Sequence, residues 1–288
     1  MGSGLVEKME KNKKSSVINY PIISIITITF NNFEDLLLTV NSVKNISHSE
    51  HIIINGGNCN KTAKFLQDFP GISLSENDQG ISDAFNKGIK LSNGLAIMFL
   101  NSGDILLDKR YPNHALNILE NNLEIDFVHA DELYNDTLIG TYVKKPLRTK
   151  NQYKPSIGRG MPYRHQTMIV RKTLFEKIGL FNLGLISMDY DWICRWEKSS
   201  GIAFYLEGKP VIQMDGSGIS SEKEWRVIRE AIKIVKTHFP KEILVHLSLL
   251  KRITLFLGRE FLKFLRLKNL LSALKRWKYK KNLIIDNE

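Results

Sequence analysis

Short apolar runs alternate with amphipathic stretches through the first half of the chain. The first run, 22–29, is almost entirely β-branched, which is typical of a strand covered on both faces. The stretch 36–43 instead repeats leucine and valine at helical spacing, and Asn31 or Asn32 can cap that helix. This alternation predicts an α/β domain with a largely parallel sheet.

The same two patterns predict most of the remaining elements. Further strands are predicted at 51–54, 72–74, 96–100, 126–130, 167–170, 204–206 and 211–214. Helices are predicted at 61–68, 81–91, 113–121, 172–178, 190–198 and 220–237. The segment 133–143 is typical of a hairpin, and the basic, Gly- and Pro-containing segment 144–162 predicts a mobile loop.

Positive charge is concentrated at the end of the chain. The net charge is +11, and residues 241–288 contain twelve Lys and Arg against four Asp and Glu. We therefore divide the chain into a disordered polar lead at 1–16, which lies outside the residues described below, a nearly neutral domain at 17–240 and a basic amphipathic helical tail at 241–288. Nucleic acid is not an expected partner, because nucleic-acid enzymes more often carry positive charge around their main site.

Apolar and basic residues alternate in helical rhythm over 244–281. A basic amphipathic helix with aromatic residues fits an anionic membrane surface. The expected location is then the cytoplasm, peripherally on the inner face of the plasma membrane. Packing of the tail on the core, or a homodimer contact through it, is left open.

Other features narrow the class of protein. Cys59 and Cys194 form no metal-binding spacing and are expected to be reduced thiols. No Gly-x-Gly-x-x-Gly follows the first strand, which argues against a dinucleotide oxidoreductase. No apolar run reaches the length of a bilayer span, and no signal peptide is expected.

Polar residues cluster around the predicted helix 81–91 and the end of the strand 96–100. Asp78 and Gly80 precede the helix, and Asp104 follows the strand. This order suits a nucleotide-sugar site, in which polar side chains bind base and ribose. A strand-terminal aspartate then holds a divalent cation against the diphosphate.

Six motifs, in this order, resemble glycosyltransferase family 2, and in particular its bacterial surface-polysaccharide branch. They read TITFN at 27–31, NGGN at 55–58, DQGISDAFNKGI at 78–89, LNSGD at 100–104, HQ at 165–166 and DYD at 189–191. The resemblance implies the GT-A nucleotide-diphospho-sugar transferase fold and an inverting reaction. It also implies transfer of a hexosyl or N-acetylhexosaminyl group from a UDP-sugar. The acceptor would be polyprenyl-linked or a saccharide, in O-antigen, capsule or exopolysaccharide synthesis.

The resemblance also assigns roles to individual residues. It places these side chains or backbones at the donor: Thr27, Thr29, Asn31, Asn55, Asp78, Gly80, Asp83, Lys87, Asn101, Ser102 and His165. Asp104 is the expected ligand of Mg²⁺ or Mn²⁺. Asp189 is the preferred catalytic base and Asp191 the second candidate, although an aspartate there also stabilises a helix start.

Three departures from the family pattern motivate an alternative. Asn55 stands where an aspartate is usual, Gly103 interrupts the acidic motif, and 213–221 contains no histidine as a second metal ligand. Asp215 is a weak substitute for that histidine. The alternative is a degenerate nucleotide-sugar-binding or scaffold subunit, and the retention of Asp104 and Asp189 argues for an enzyme.

Overall fold

Two β-sheets organise the residues that the computed structural model describes, which are 23–149, 154–216 and 218–284. The strands are β1 (Ile23–Thr29), β2 (Ser49–Asn55), β3 (Ile72–Ser75), β4 (Ala96–Asn101), β5 (Ile105–Leu106), β6 (Ile125–His129), β7 (Glu132–Asp136), β8 (Gly140–Lys144), β9 (Ile169–Arg171), β10 (Ile202–Tyr205) and β11 (Ile212–Asp215). The large sheet has the order β10-β6-β9-β4-β1-β2-β3, and the small sheet β5-β11-β7-β8.

Helices cover both faces of the large sheet and form the end of the described chain. They are α1 (Phe33–Val43), α2 (Asn60–Gln67), α3 (Ile81–Leu91), α4 (Tyr111–Asn121), α5 (Lys172–Ile178), α6 (Met188–Glu197), α7 (Ile219–Glu222), α8 (Glu224–His238), α9 (Ile243–Phe264) and α10 (Lys268–Tyr279). Two 3₁₀ helices occupy Lys154–Arg159 and His165–Thr167. None of the helices in the described ranges combines the length and apolarity that crossing a bilayer requires.

The register of β1 sets the functional edge of the large sheet. β1 pairs in parallel with β2 and β4, so Thr29 lies opposite Asn55 and Ile28 opposite Asn101. Among the described strands of the large sheet, β9 is the one that runs antiparallel to its neighbours, β4 and β6. The predicted α/β fold with a mostly parallel sheet is therefore confirmed, and polar strand ends meet at one edge.

Alternating side chains of β1 supply two hydrophobic cores, as a strand covered on both faces should. Ile26 packs with Phe85 of α3 and Phe99 of β4 in one core, which also contains α6. Ile23 and Ile25 face the other core, which includes α4. Each fully buried isoleucine contributes about 2 kcal/mol, so the central strand is firmly held beneath the site.

Several local predictions need correction. The strand predicted at 167–170 begins only at Ile169, because Thr167 Oγ1 and its backbone N–H both donate to Arg164 O and close a 3₁₀ turn over His165–Thr167. The predicted helix 220–237 is two helices, α7 and α8. Asn32 precedes α1 without a capping bond, since its Oδ1 accepts from Thr29 Oγ1 at 2.7 Å.

The predicted loop 144–162 and the tail pack on each other rather than extending outward. In the described part of the loop, Ile157 lies in a 3₁₀ helix and is buried in the same core as Val245 and Leu249 of α9. The helix α10 lies on the β7–β8 hairpin, where Tyr279 stacks on Tyr142 at 4.3 Å between ring centroids. One face of the tail is thus part of the folded domain. Packing of the tail on the core was one of the alternatives that the sequence left open.

Candidate active site

A cavity of about 890 Å³ lies where the carboxyl ends of β1 and β4 meet α3, α6 and β11. This volume falls in the range of small-molecule and cofactor sites. Eight of the predicted site residues line it: Thr29, Asp78, Gly80, Asn101, Ser102, Asp104, His165 and Asp189. The fold therefore brings together residues that are up to 160 positions apart in the sequence.

Hydroxyl and amide groups line the strand-end wall of the cavity. Ser102 Oγ donates to Thr29 Oγ1 at 3.3 Å, and Thr29 Oγ1 donates to Asn32 Oδ1 at 2.7 Å. Asn101 Oδ1 is buried and has no hydrogen-bond partner among the described residues. An unsatisfied buried oxygen is costly, so this atom is suited to accept a hydrogen bond from a ligand hydroxyl or to bind a cation.

Asp78 and Gly80 form another part of the cavity lining, at the beginning of α3, which we call the α3 wall. Gly80 has φ of +109°, a conformation that L-residues with side chains avoid, and its N–H donates to Asp78 Oδ1 at 2.9 Å. Gly56 follows β2, and a Cβ atom added there would lie 1.7 Å from Asp78 Oδ2. Glycine at 56 therefore allows the Asp78 carboxylate to lie close against the end of β2.

Asp104 is the most strongly perturbed carboxyl group of the cavity. It is buried and accepts a hydrogen bond from Asn101 N at 2.7 Å. Burial raises the pKa of Asp104 to about 8, and the negative charges of Glu132 and Asp215 add to the rise. Without a counter-charge, Asp104 is therefore mostly protonated at neutral pH.

The lining of the cavity is acidic. It contains six carboxyl groups, on Asp35, Asp78, Asp104, Asp189, Asp215 and Glu222, and no Lys or Arg of the described ranges. The sequence suggested Lys87 as a phosphate ligand, but Lys87 Nζ lies 2.9 Å from Glu76 and 3.1 Å from Asp83 instead. An anionic ligand entering this cavity needs a cation from elsewhere.

The cavity contains oxygen atoms of the kind that would hold a divalent cation. Within the described ranges, no group of three His, Cys, Asp or Glu residues is arranged to hold a metal ion. Asp104, Asp215 and the unsatisfied Asn101 Oδ1 nevertheless line one cavity and are the hard oxygen donors that Mg²⁺ and Mn²⁺ prefer. Three protein oxygens leave room for phosphate oxygens and water to complete such a shell.

Asp189 and His165 also line the cavity. Asp189 is half-buried in the first turn of α6, where its Oδ1 accepts from Tyr190 N at 2.8 Å. Burial lowers the pKa of His165, and the charge of Asp189 only partly offsets this effect. The neutral His165 ring stacks on Phe99, and its Nε2 has no hydrogen-bond partner in the described ranges.

Six of the predicted site residues do not line the cavity: Thr27, Asn31, Asn55, Asp83, Lys87 and Asp191. Asn55 is buried, and its amide closes the 55–57 turn and donates to Ser75 Oγ at 2.8 Å. The Oδ1 of Asn31 accepts from Asn58 N, and Thr27 Oγ1 lies 2.9 Å from His51 Nε2. These three residues hold strand ends and turns in place behind the cavity wall.

Asp191 faces away from the cavity and joins three elements. Its carboxylate lies 2.9 Å from His238 Nε2, 2.8 Å from Asn182 Nδ2 and 3.2 Å from Arg195 Nε. Burial opposes its ionisation, but the hydrogen bond from His238 and the charge of Arg195 outweigh burial and lower the pKa of Asp191. The two aspartates of the DYD motif therefore have different surroundings, and only Asp189 faces the cavity.

Some lining residues were not predicted from the sequence. Asp35 and Glu222 were not singled out, and Asp215 was considered only a weak candidate. Asp35 could have been found, because it lies in the first turn of the helix that follows β1. Asp215 could not, since it reaches the cavity through the pairing of β11 with β7, opposite Asn135.

A family model and two relatives of known sequence match this chain, and all of them are glycosyltransferases. The family model described as glycosyl transferase family 2 matches residues 24–179. An uncharacterized glycosyltransferase of Mycobacterium tuberculosis is 30% identical over 183 residues, which cover 61% of this chain and 68% of the relative. An uncharacterized glycosyltransferase of Haemophilus influenzae is 23% identical over 235 residues, 77% of this chain and 78% of the relative.

Two solved structures share the fold at low sequence identity. The crystal structure of S. aureus TarS 1-349 in complex with UDP-GlcNAc superposes with a TM-score of 0.58 at 14% identity, covering 80% of this chain and 71% of that chain. The mannosyltransferase PcManGT from Pyrobaculum calidifontis, in complex with GDP-Man and Mn²⁺, gives 0.54 at 11% identity, covering 88% of this chain and 80% of that chain.

Proposed function

The chain belongs to glycosyl transferase family 2, and we propose that it transfers a sugar from a UDP-sugar to a saccharide acceptor, free or polyprenyl-linked, with inversion at the anomeric carbon. One observation carries the proposal. A single cavity holds the strand-end polar groups, a buried carboxyl group at Asp104 and a second carboxylate at Asp189. Binding of UDP-GlcNAc by TarS, on the same fold, supports the choice of donor.

The strand-end wall and the α3 wall are proposed to bind the donor. Asn101, Ser102 and Thr29 present hydroxyl and amide groups to the ribose, and Asp78 accepts a hydrogen bond from the base or the ribose. His165, held neutral by burial, offers its Nε2 to the diphosphate or to an acceptor hydroxyl. These contacts orient the anomeric carbon toward α6.

Asp189 is proposed to act as the general base. In an inverting transfer, the acceptor oxygen bonds to the anomeric carbon while the bond to the diphosphate oxygen breaks. The proton of the acceptor hydroxyl passes to the carboxylate of Asp189, and the electron pair leaves with the nucleoside diphosphate. Asp189 lies in the first turn of α6 and lines the cavity, which places its carboxylate where an acceptor hydroxyl can reach it.

Divalent metal is proposed as the cofactor, Mg²⁺ or Mn²⁺. Its part is to neutralise the charge of the departing diphosphate. Asp104, with Asp215 and Asn101, would hold it. The lining is acidic and contains no Lys or Arg of the described ranges, so it would repel a diphosphate that had no bound cation. This charge is the main argument for a metal cofactor. The Mn²⁺ bound by PcManGT on the same fold is consistent with it.

Thermal unfolding with nucleotides tests donor binding directly. We expect UDP with Mn²⁺ to raise the melting temperature, and UDP alone to raise it far less. Ligand at about a hundredfold excess over its Kd stabilises by about 2.7 kcal/mol. GDP, dTDP and a panel of UDP-sugars, each with and without Mn²⁺, serve as comparisons. A larger shift with GDP or dTDP would overturn the choice of uridine nucleotide, and no shift with any of them would refute donor binding.

Gly56→Ala tests the proposed role of Asp78. The new Cβ would overlap the Asp78 carboxylate, so that carboxylate must move from its position beside the end of β2. We expect the Kd for UDP with Mn²⁺ to rise about tenfold, the size of one lost hydrogen bond to a charged group. The control is Gly208→Ala, where an added Cβ meets nothing within 4 Å. Unchanged affinity by isothermal titration calorimetry would exclude contact between Asp78 and the nucleotide.

A second function, donor binding without transfer, is supported by one observation. Asn55, at a position where the family usually has aspartate, is turned into its own strand-end turn and away from the cavity. Slow hydrolysis of a UDP-sugar, measured by release of UDP, separates an enzyme from a scaffold subunit. We propose the enzyme, with a hexosyl or N-acetylhexosaminyl group transferred in cell-surface polysaccharide synthesis. The cytoplasmic, membrane-peripheral location belongs to this proposal, and the homodimer stays a prediction.

A further inference from the structure

A continuous apolar face runs along the outer side of α9. Val245, Leu249 and Phe256 are buried on the inner side of this helix. The opposite side exposes apolar side chains at steps of four, three and seven residues, a spacing that keeps them on one face. These are Ile243, Leu247, Leu250, Leu257, Phe261 and Phe264.

The helix α10 also has an exposed apolar face. Leu270, Leu274 and Trp277 are exposed at steps of four and three residues, while Leu271 is buried. Phe264 and Trp277 are 81% and 79% exposed. Single exposed apolar residues are ordinary, but exposed apolar faces on two successive helices mark a surface that binds a partner.

Basic side chains without counter-charges border the apolar face. Residues 261–284 contain no Asp or Glu. Lys275 of α10 pairs with Asp136 of β7, and Lys263 of α9 pairs with Glu260. Six other basic residues form no ion pair within the described ranges: Arg266, Lys268, Arg276, Lys278, Lys280 and Lys281.

The sign of this charge selects the occupant of the face. A second copy of the chain, paired through the same face, would bring the unpaired lysines and arginines of two protomers together. Anionic lipid headgroups instead complement these charges, and the interface below them accommodates the exposed phenylalanine and tryptophan rings. We infer that the outer face of α9 and α10 lies on an anionic membrane surface, with its apolar side chains inserted among the acyl chains.

The inner side of α9 connects this membrane face to the catalytic cavity. The guanidinium of Arg252 lies 5.9 Å from the ring centroid of Tyr190, the residue that follows the proposed base on α6. Phe256 packs edge-on against Trp225 at 4.6 Å between centroids, and Trp225 lies in the first turn of α8, three residues after Glu222 of α7, which lines the cavity. Resting on the proposed function, this connection favours a polyprenyl-linked acceptor, since its sugar would reach α6 and α7 from the membrane.

Vesicle co-sedimentation of the full chain tests the membrane face without requiring activity. We expect binding to vesicles of phosphatidylcholine with about one third phosphatidylglycerol, and much weaker binding to phosphatidylcholine alone. The triple change Lys278→Gln, Lys280→Gln and Lys281→Gln should lower partitioning onto the anionic vesicles about a hundredfold. As a matched control, Lys64→Gln, Lys90→Gln and Lys177→Gln removes three exposed lysines on α2, α3 and α5 and should leave binding unchanged.

Changes to the apolar face give a second, independent test. Leu257→Ser with Phe261→Ser should reduce vesicle binding at least about tenfold. Leu95→Ser with Leu123→Ser, at exposed positions of other segments, is the matched control. The inference is overturned if the unaltered protein binds neither vesicle, or if all four variants bind alike.

Light scattering and nucleotide binding make the remaining outcomes distinct. Light scattering could give the mass of two chains for the unaltered protein and of one chain for Phe261→Ser. If the unaltered protein also failed to bind vesicles, the face would belong to a second copy and the inference would be overturned. A cooperative thermal unfolding transition without any ligand shows that each variant is folded, and the shift of that transition with UDP and Mn²⁺ tests the proposed function separately. Vesicle binding without a nucleotide shift would leave the membrane face supported and refute the proposed function, whereas the converse result would refute the membrane face alone.

Discussion

Asp189→Asn is expected to lower the turnover of sugar transfer, and of slow UDP-sugar hydrolysis, by about a thousandfold. The amide has nearly the same shape as the carboxylate but cannot take a proton from the acceptor hydroxyl, and general-base catalysis contributes about 10² to 10⁴ in rate. The affinity for UDP with Mn²⁺ should change little, because the base faces the acceptor. Release of UDP, measured with a coupled assay, provides both rates.

The same substitution at Asp191, two residues away on α6, is expected to affect stability rather than turnover. Asp191→Asn removes a charge that Arg195 and His238 surround, so we expect the free energy of unfolding to fall by about 3 kcal/mol. Turnover of the protein that remains folded should stay within a few-fold of the unaltered enzyme. The opposite result, in which Asp191→Asn abolishes turnover and Asp189→Asn does not, would transfer the role of base to Asp191.

The elements around the site were largely predictable because their signals are local. The β-branched run of β1 requires no knowledge of the rest of the chain, and the helix 81–91 was predicted with the bounds that α3 has. The motifs also follow each strand at its carboxyl end, where a parallel sheet collects them. This is why Asn101 and Asp104 could be expected close to Thr29 before any contact was known, whereas Asp189, in the first turn of α6, was assigned by the family resemblance.

The residues that were misplaced depend on contacts that no local pattern records. Lys87 is oriented by Glu76, which lies eleven positions earlier on another segment. Asp191 is fixed by His238, from a helix near the end of the domain. Asp215 reaches the cavity through a small sheet in which β11 lies between β5 and β7. Strand order and the partners of charged side chains are properties of the whole fold, so spacing alone does not determine them.

Binding of Mn²⁺ in the presence of UDP is expected to strengthen with pH up to about pH 8. Burial keeps Asp104 protonated below its pKa of about 8, so the cation must displace a proton to bind this carboxylate. Between about pH 6 and 8 the apparent Kd should fall by as much as tenfold per pH unit. Calorimetry in two buffers of different ionisation enthalpy would measure the expected release of about one proton.

Asp104→Asn should remove both the proton release and most of the Mn²⁺ affinity, whereas the exposed Asp68→Asn should leave both unchanged. The same group predicts a result without any metal or substrate. The folded protein holds a proton on Asp104 that the unfolded chain releases above its ordinary pKa of 3.8. The free energy of unfolding should therefore decrease as pH rises from about 4 to about 8, and this decrease should be smaller in Asp104→Asn. A pH-independent Mn²⁺ affinity, retained in Asp104→Asn, would exclude Asp104 as the metal ligand.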